Sequence, residues 1–260
     1  MFATYLAPNI KPVYELVTAR VGEALARPAR LIVGESFDQL RNGEVDFAFV
    51  CGLPYVRLHR ENPALRVIAA PVVRGERYGG RPIYFSDVIV PADSAAASFE
   101  DLRGCTWAYN EPDSHSGYLV TLFHLYRMGE TGRYFARTVR TDLHQESIRR
   151  VTMKAADASA IDSQVLAVEL RDHPDLGPQL RIVDTLGPST IQPLVATRAV
   201  SASLGEEVRE IVTGLGRMEL DSNLLGQGLV ERFTAIDDAA YEDIAAMLDT
   251  VESSRLSFDA

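Results

Sequence analysis

The chain is 260 residues long, nearly half of them apolar and about a quarter charged, a composition that excludes disorder and leaves room for one large domain or two lobes. Its formal charge of −10 and its scattered basic residues, with Lys11 and Lys154 the only lysines, exclude a nucleic-acid surface, which needs clustered cations to replace counterions. No stretch approaches the roughly 18 to 20 apolar residues needed to cross a bilayer, so no membrane span is expected.

Met1 to Pro8 has neither a basic region nor a long apolar run, so no secretory signal is visible; the expectation is a cytoplasmic protein, or one whose signal has been removed. Ala3 to Leu6 reads as a short opening strand, and Pro12 to Ala26 as an amphipathic helix with Val13, Leu16, Val17, Val21 and Leu25 on its apolar side. Leu31 to Val33 is a second strand. A short helix around Phe37 to Arg41 reaches the turn Asn42-Gly43, Val45 to Val50 is a buried strand, and a helical turn over Leu53 to Arg60 precedes the strand Arg66 to Val73. Ile83 to Val90, between Gly79-Gly80 and Pro91, is long enough to cross from one lobe to another.

Strands are then expected over Leu102 to Asn110, Tyr134 to Val139 and Ala156 to Ile161, with helices from Ser116, from His144 to Met153 and from Ser163 to Arg171. Arg181 to Thr185 and Ile191 to Thr197 flank Gly187-Pro188, where the chain can return, and Ser201 to Val251 is helical in pattern, broken at Gly226-Gln-Gly228 and Asp237-Asp238. Alternating strands and helices with two crossings predict an α/β fold in two lobes, 1–86 with 190–260 and 87–189, each a mostly parallel sheet flanked by helices, with a ligand cleft between them. Cys51 and Cys105 form no disulfide framework; the sequence leaves open whether they pair.

Within this pattern the run Cys105 to Gly117 stands out. Trp107 to Tyr109 are strand formers, Asn110 to Asp113 end the run, and Leu119, Leu122, Phe123 and Tyr126 recur at helical spacing, so Ser114, His115 and Ser116 fall at a helix N-terminus. Backbone N–H groups there lack intrahelical partners and can hold an oxyanion, while Gly117 allows close backbone approach. The ordinary role of Ser114 or Ser116 in such a place is an N-cap.

In open α/β sheets ligands settle at the carboxyl ends of strands. Those positions here carry Glu35, Tyr55, Asn110, Ser114 to Ser116, the segment Asp142 to His144, and Asp162-Ser163, while Tyr84 and Ser86 alternate onto one face of the crossing strand. His144 opens a helix in which Asp142 and Gln145 have capping-box spacing, and could donate to an anion or be a capping histidine. Asp162 could accept from a protonated oxygen or an amine of the ligand, or simply cap the helix from Ser163. Tyr55 could line the site or belong to the core.

Ser114, His144 and Asp162 could in principle form a hydrolytic triad, but no Gly-x-Ser-x-Gly elbow occurs. The five histidines show no paired metal-ligand spacing, and the glycine-rich dinucleotide and triphosphate motifs are absent, so neither a metal nor a cofactor is expected.

The fragments Asn42 to Ala48, Tyr84-Phe-Ser86, Asp101-Leu-Arg-Gly104 before Trp-Ala-Tyr-Asn, Ser114-His-Ser-Gly117, His144 with Ser147 and Val151, and Ala156-Asp157 to Asp162 together resemble the phosphate, phosphite and phosphonate substrate-binding proteins of ABC importers, within the type II periplasmic binding-protein fold. The resemblance covers most of the chain from about Asn42. It implies a binding protein that is not an enzyme, a small oxyanion ligand held by Ser114, His115, Ser116, Tyr84 and His144, an ABC permease as partner, and a periplasmic or other extracytoplasmic location. The chain departs from the pattern at His115, often threonine in that family, and in Gly34-Glu-Ser-Phe37, which lacks a tyrosine expected of a typical phosphonate binder. The alternative is an enzyme or binder on the same fold acting on another small molecule, such as a pyrimidine cofactor precursor.

Overall fold

The computed structural model describes residues 1–216 and 219–258. The chain divides into two compact units, the first formed by Met1–Ile83 and Thr190–Glu242, the second by Tyr84–Ser189 and Asp243–Ala260.

The first unit is built on strands β1 (Phe2–Thr4), β2 (Leu31–Val33), β3 (Phe47–Phe49), β4 (Arg66–Val73), β10 (Leu194–Ala196) and β11 (Val230–Thr234), arranged β11-β4-β10-β3-β1-β2. β1 pairs in parallel with β2 and β3, whereas β10 runs antiparallel to both β3 and β4, and β11 antiparallel to β4. The sheet is therefore mixed: the segment returning after residue 190 enters it against the direction of the earlier strands. Its central strands β3 and β10 are apolar and buried on both sides, and Phe2 stacks on Phe47 with ring centroids 4.9 Å apart across the β1–β3 pair. Helices α1 (Lys11–Ala24), α2 (Asp38–Asn42), α3 (Gly52–Glu61), α7 (Ala202–Thr213) and α8 (Glu219–Gln227) belong to this unit. α1 buries Val13, Leu16, Val17 and Val21, the stripe its spacing predicted, and α2 stops at Gly43, whose φ of 72° favours glycine.

The second unit carries strands β5 (Ile83–Pro91), β6 (Thr106–Tyr109), β7 (Arg137–Arg140), β8 (Ala158–Asp162) and β9 (Leu180–Thr190) in the order β7-β6-β8-β5-β9. β6 is parallel to β7 and β8, and β5 is antiparallel to β8. Its helices are α4 (Val120–Arg127), α5 (His144–Thr152), α6 (Ser163–Asp172) and α9 (Glu242–Ser254), the last beginning at the boundary residue. Trp107 and Phe135 stack at 4.6 Å, and Phe99 meets both rings edge-on.

The structure departs from expectation in three places. Gly187-Pro188 does not separate two strands: β9 runs through it, which proline tolerates because β9 is at the sheet edge. The expected helical stretch 201–251, of which 217 and 218 lie outside the described residues, contains the strand β11. From Asp243 onward the chain belongs to the second unit, not the first, because Phe258 inserts among Tyr109, Tyr118 and Phe135 at centroid distances of 5.1, 5.0 and 5.9 Å. Residues 259 and 260 of that expected first lobe lie outside the described residues. Both cysteines are free thiols, and burial, with Asp157 nearby, pushes the Cys105 thiol up to about 12.

Candidate functional site

In the second unit β6 ends at Tyr109 and, after the loop through Asn110 and Asp113, the chain enters a π-helical turn, His115–Leu119, that leads into α4. Ser114 is the N-cap: its Oγ accepts from the backbone N–H of Gly117 at 3.0 Å, which leaves the hydroxyl hydrogen available to donate elsewhere. Gly117 is required sterically, since a Cβ there would lie 2.0 Å from Asn110 Oδ1 and 3.4 Å from His144 Cε1. These residues form a tight cradle in which Asn110, Ser114, His115, Ser116 and His144 are all buried.

Ser116 Oγ lies 3.0 Å from His144 Nε2, and burial alone lowers the His144 pKa to about 4, so the imidazole is neutral at physiological pH. A neutral imidazole that donates Nε2–H to Ser116 Oγ turns the serine hydrogen outward as a donor. His144 is placed by the segment before α5. Thr141 Oγ1 donates to the carbonyls of Tyr109 (3.0 Å) and Leu143 (3.2 Å) and meets Ser147 Oγ at 2.6 Å, tying the start of α5 to the end of β6. The expected capping box does not form: α5 starts at His144 as expected, but Leu143 rather than Asp142 is its N-cap, and Asp142 accepts instead from Arg140 Nε at 2.7 Å.

His115 Nε2 lies 2.8 Å from Ser189 Oγ on β9, and its ring is 6.0 Å from that of Tyr84 on β5. Burial lowers the His115 pKa to about 3, so this imidazole too is neutral. Ser86, two residues on, is buried and stands opposite Asp162 in the β5–β8 register. Asp162 Oδ1 accepts from the N–H groups of Gln164 (2.8 Å) and Val165 (3.1 Å), capping α6, and Ser163 Oγ accepts from the N–H of Phe85 at 3.1 Å.

Of the expected site residues, Ser114, His115, Ser116 and His144 come together at one strand end, Tyr84 lies beside His115, and Ser86 stands beside Asp162. Tyr55 and Glu35 belong to the first unit. Tyr55 is a core residue whose hydroxyl donates to Asp238 Oδ1 at 2.5 Å and whose ring meets Tyr241 edge-on at 4.8 Å; Glu35 is exposed, with its backbone N–H donating to Gln39 Oε1 at 3.0 Å. Sequence reasoning missed Ser189 and Thr141. Ser189 had a signal, a hydroxyl directly after Gly187-Pro188 at the expected return of the chain; Thr141 had none.

Carboxylates flank the cradle, with Arg140 beside Glu111 and Asp142. Glu111, whose pKa burial and then Asp113 raise, precedes it, and Asp142 follows Thr141. Among the described buried polar residues there is no lysine or arginine. Any anion held here is held by hydroxyls, neutral imidazoles and backbone dipoles, which suffice for oxyanions without a cation. Among the described residues no cluster of histidine, cysteine and carboxylate groups suited to a metal is present, and no helix is long and apolar enough to cross a membrane.

The fold is similar to that of PhnD1 from Prochlorococcus marinus, solved in complex with methylphosphonate (TM-score 0.85, 16% identity, covering 96% of this chain and 97% of that one). It is also similar to a binding-protein component of a phosphonate ABC transporter from Pseudomonas aeruginosa (TM-score 0.82, 19% identity, 95% and 84% covered). A Xanthomonas citri protein solved bound to ATP is more distant (TM-score 0.73, 17% identity, 98% of each chain covered). These likenesses place the chain among two-lobed type II periplasmic binding proteins by fold. The family model for the periplasmic phosphonate substrate-binding protein of ABC transporters matches residues 1–241, nearly the whole chain, and the protein belongs to that family.

Proposed function

We propose that the protein binds a small phosphorus oxyanion, a phosphonate, phosphite or phosphate, through Ser114, His115, Ser116, His144 and Tyr84 of its second unit, and delivers it to an ABC permease. The observation that carries this reading is the Ser116–His144 pair, 3.0 Å apart and buried beside Gly117 and the Ser114 cap. The family is one of transport binding proteins, not enzymes. Ser86 and Asp162 oppose each other in the β5–β8 register, Asp162 chiefly as the cap of α6. Periplasmic action follows the family.

The chemistry of the pair favours binding over turnover. A base whose pKa is about 4 is a poor proton acceptor at neutral pH, and His144 Nδ1 is buried with no hydrogen-bond partner among the described residues, so no carboxylate orients it as in a triad. A thermal-shift screen against methylphosphonate, aminoethylphosphonate, phosphite, phosphate, sulfate and pyrimidine cofactor precursors tests the reading. At about 100 times its dissociation constant a ligand adds roughly 2.7 kcal/mol, a shift of a few degrees. A shift confined to phosphorus oxyanions is expected; a shift only with a heterocycle would replace this function with the alternative.

A further inference from the structure

The cradle carries an acceptor that an anion alone would leave unsatisfied. Asn110 Oδ1 is buried, has no hydrogen-bond partner among the described residues, and lies directly over Gly117, where a Cβ would approach it to 2.0 Å. A buried carbonyl oxygen without a donor is costly, and beside an oxyanion it is also repelled. Of the charged groups on the elements around it, Glu111 and Asp113 lie on the loop before the cradle and Asp162 on β8; Asp142 is paired with Arg140, Arg149 and Arg150 with Glu146, and Asp87, out of step with Tyr84 and Ser86 on β5, accepts from Thr185 Oγ1 at 2.9 Å. No buried lysine or arginine offsets them among the described residues.

Given the oxyanion site above, on which this inference rests, we propose that the ligand is selected as its monoanion, with one oxygen still protonated and donating to Asn110 Oδ1, while the remaining oxygens accept from Ser114, Ser116 and the imidazoles. A dianion would meet the Asn110 carbonyl oxygen with no hydrogen to give it, and no buried lysine or arginine stands among the described residues to offset its second charge. A single proton on the ligand removes one charge and satisfies the orphan acceptor at the same time. Phosphonates lose their second proton in the neutral range, as phosphate monoesters do at about pH 6, so the two forms are both accessible to the protein.

Isothermal titration of the whole protein with methylphosphonate across the neutral and mildly alkaline range tests this. His115 and His144 stay neutral over that range, and His124 on α4 is also lowered by burial, so these three histidines do not supply the slope. The dissociation constant is expected to rise by about tenfold per pH unit above the second pKa of the ligand, because only the protonated fraction binds. Methanesulfonate, a monoanion with no proton to give, is expected to bind at least tenfold more weakly than methylphosphonate at the acidic end. Asn110→Leu, which removes the acceptor, is expected to flatten the pH slope. Affinity that is level or improves with rising pH, or methanesulfonate binding as tightly, overturns the inference while leaving the phosphonate reading intact. No methylphosphonate binding at any pH overturns both.

Discussion

The chemistry proposed for this protein rests on a few side chains that burial has stripped of charge. His144 and Ser116 are 3.0 Å apart, and both are buried from bulk water. Each donor that meets a charged oxygen in such a place contributes more than a neutral hydrogen bond at the surface. Ser116→Ala and His144→Ala are each expected to weaken methylphosphonate binding by roughly 1 to 3 kcal/mol, read by isothermal titration. Unchanged affinity in both variants would remove the site from this strand end. Ser114 is a subtler case, because its oxygen already accepts from Gly117 and only its hydrogen is left for a ligand.

At the scale of elements, the site depends on how the β6 end, the π turn and the start of α5 are joined. Thr141 makes that joint with one hydroxyl and three partners. Thr141→Val keeps the shape and deletes the bonds, so it is expected to weaken ligand binding by about 1 kcal/mol through displacement of His144, with secondary structure by circular dichroism unchanged. Full affinity in that variant would show that α5 is positioned by its packing alone. Much of this level could be read from the sequence. The break after Tyr109, the hydroxyls before a helix and the apolar stripe of α1 are local patterns set by single periodicities. What escaped it was register and pairing. Val230 and Phe233 are the buried residues of β11, and their spacing of three mimics a helix because the pairing with β4 shifts register between Val230 and Arg232. The capping box failed by one residue for a related reason: Asp142 takes a left-handed backbone, with φ of 64°, and leaves Leu143 to begin the helix. Ser189 could not be assigned to His115 because 74 residues separate them and only the path of β9 brings them together.

Across the whole molecule, the buried neutral histidines couple stability to pH. Both have folded pKa values below the ordinary value of 6.5, so the unfolded chain binds protons that the folded one refuses, and the stability they represent is complete above about 6.5 and is lost as pH falls toward about 4 and then about 3. Chemical denaturation is expected to give a lower unfolding free energy at acidic pH than at neutral pH, with a flatter profile in a variant that replaces both histidines by asparagine. The second unit is also sensitive to its distant segment. Phe258 is buried among three aromatic rings, and Phe258→Ala is expected to cost about 3 kcal/mol of unfolding free energy. A loss below 1 kcal/mol would show that those rings repack without it.

The division of the chain between its units has a consequence for biosynthesis. The first unit needs Thr190–Glu242 to complete its sheet with β10 and β11, and the second needs Phe258 to fill its aromatic core. Both requirements are met only after the ribosome has translated most of the chain, so neither core can close while a large share of it is still nascent. The interleaving that builds two units from four segments therefore ties the completion of both cores to the last stretch of synthesis.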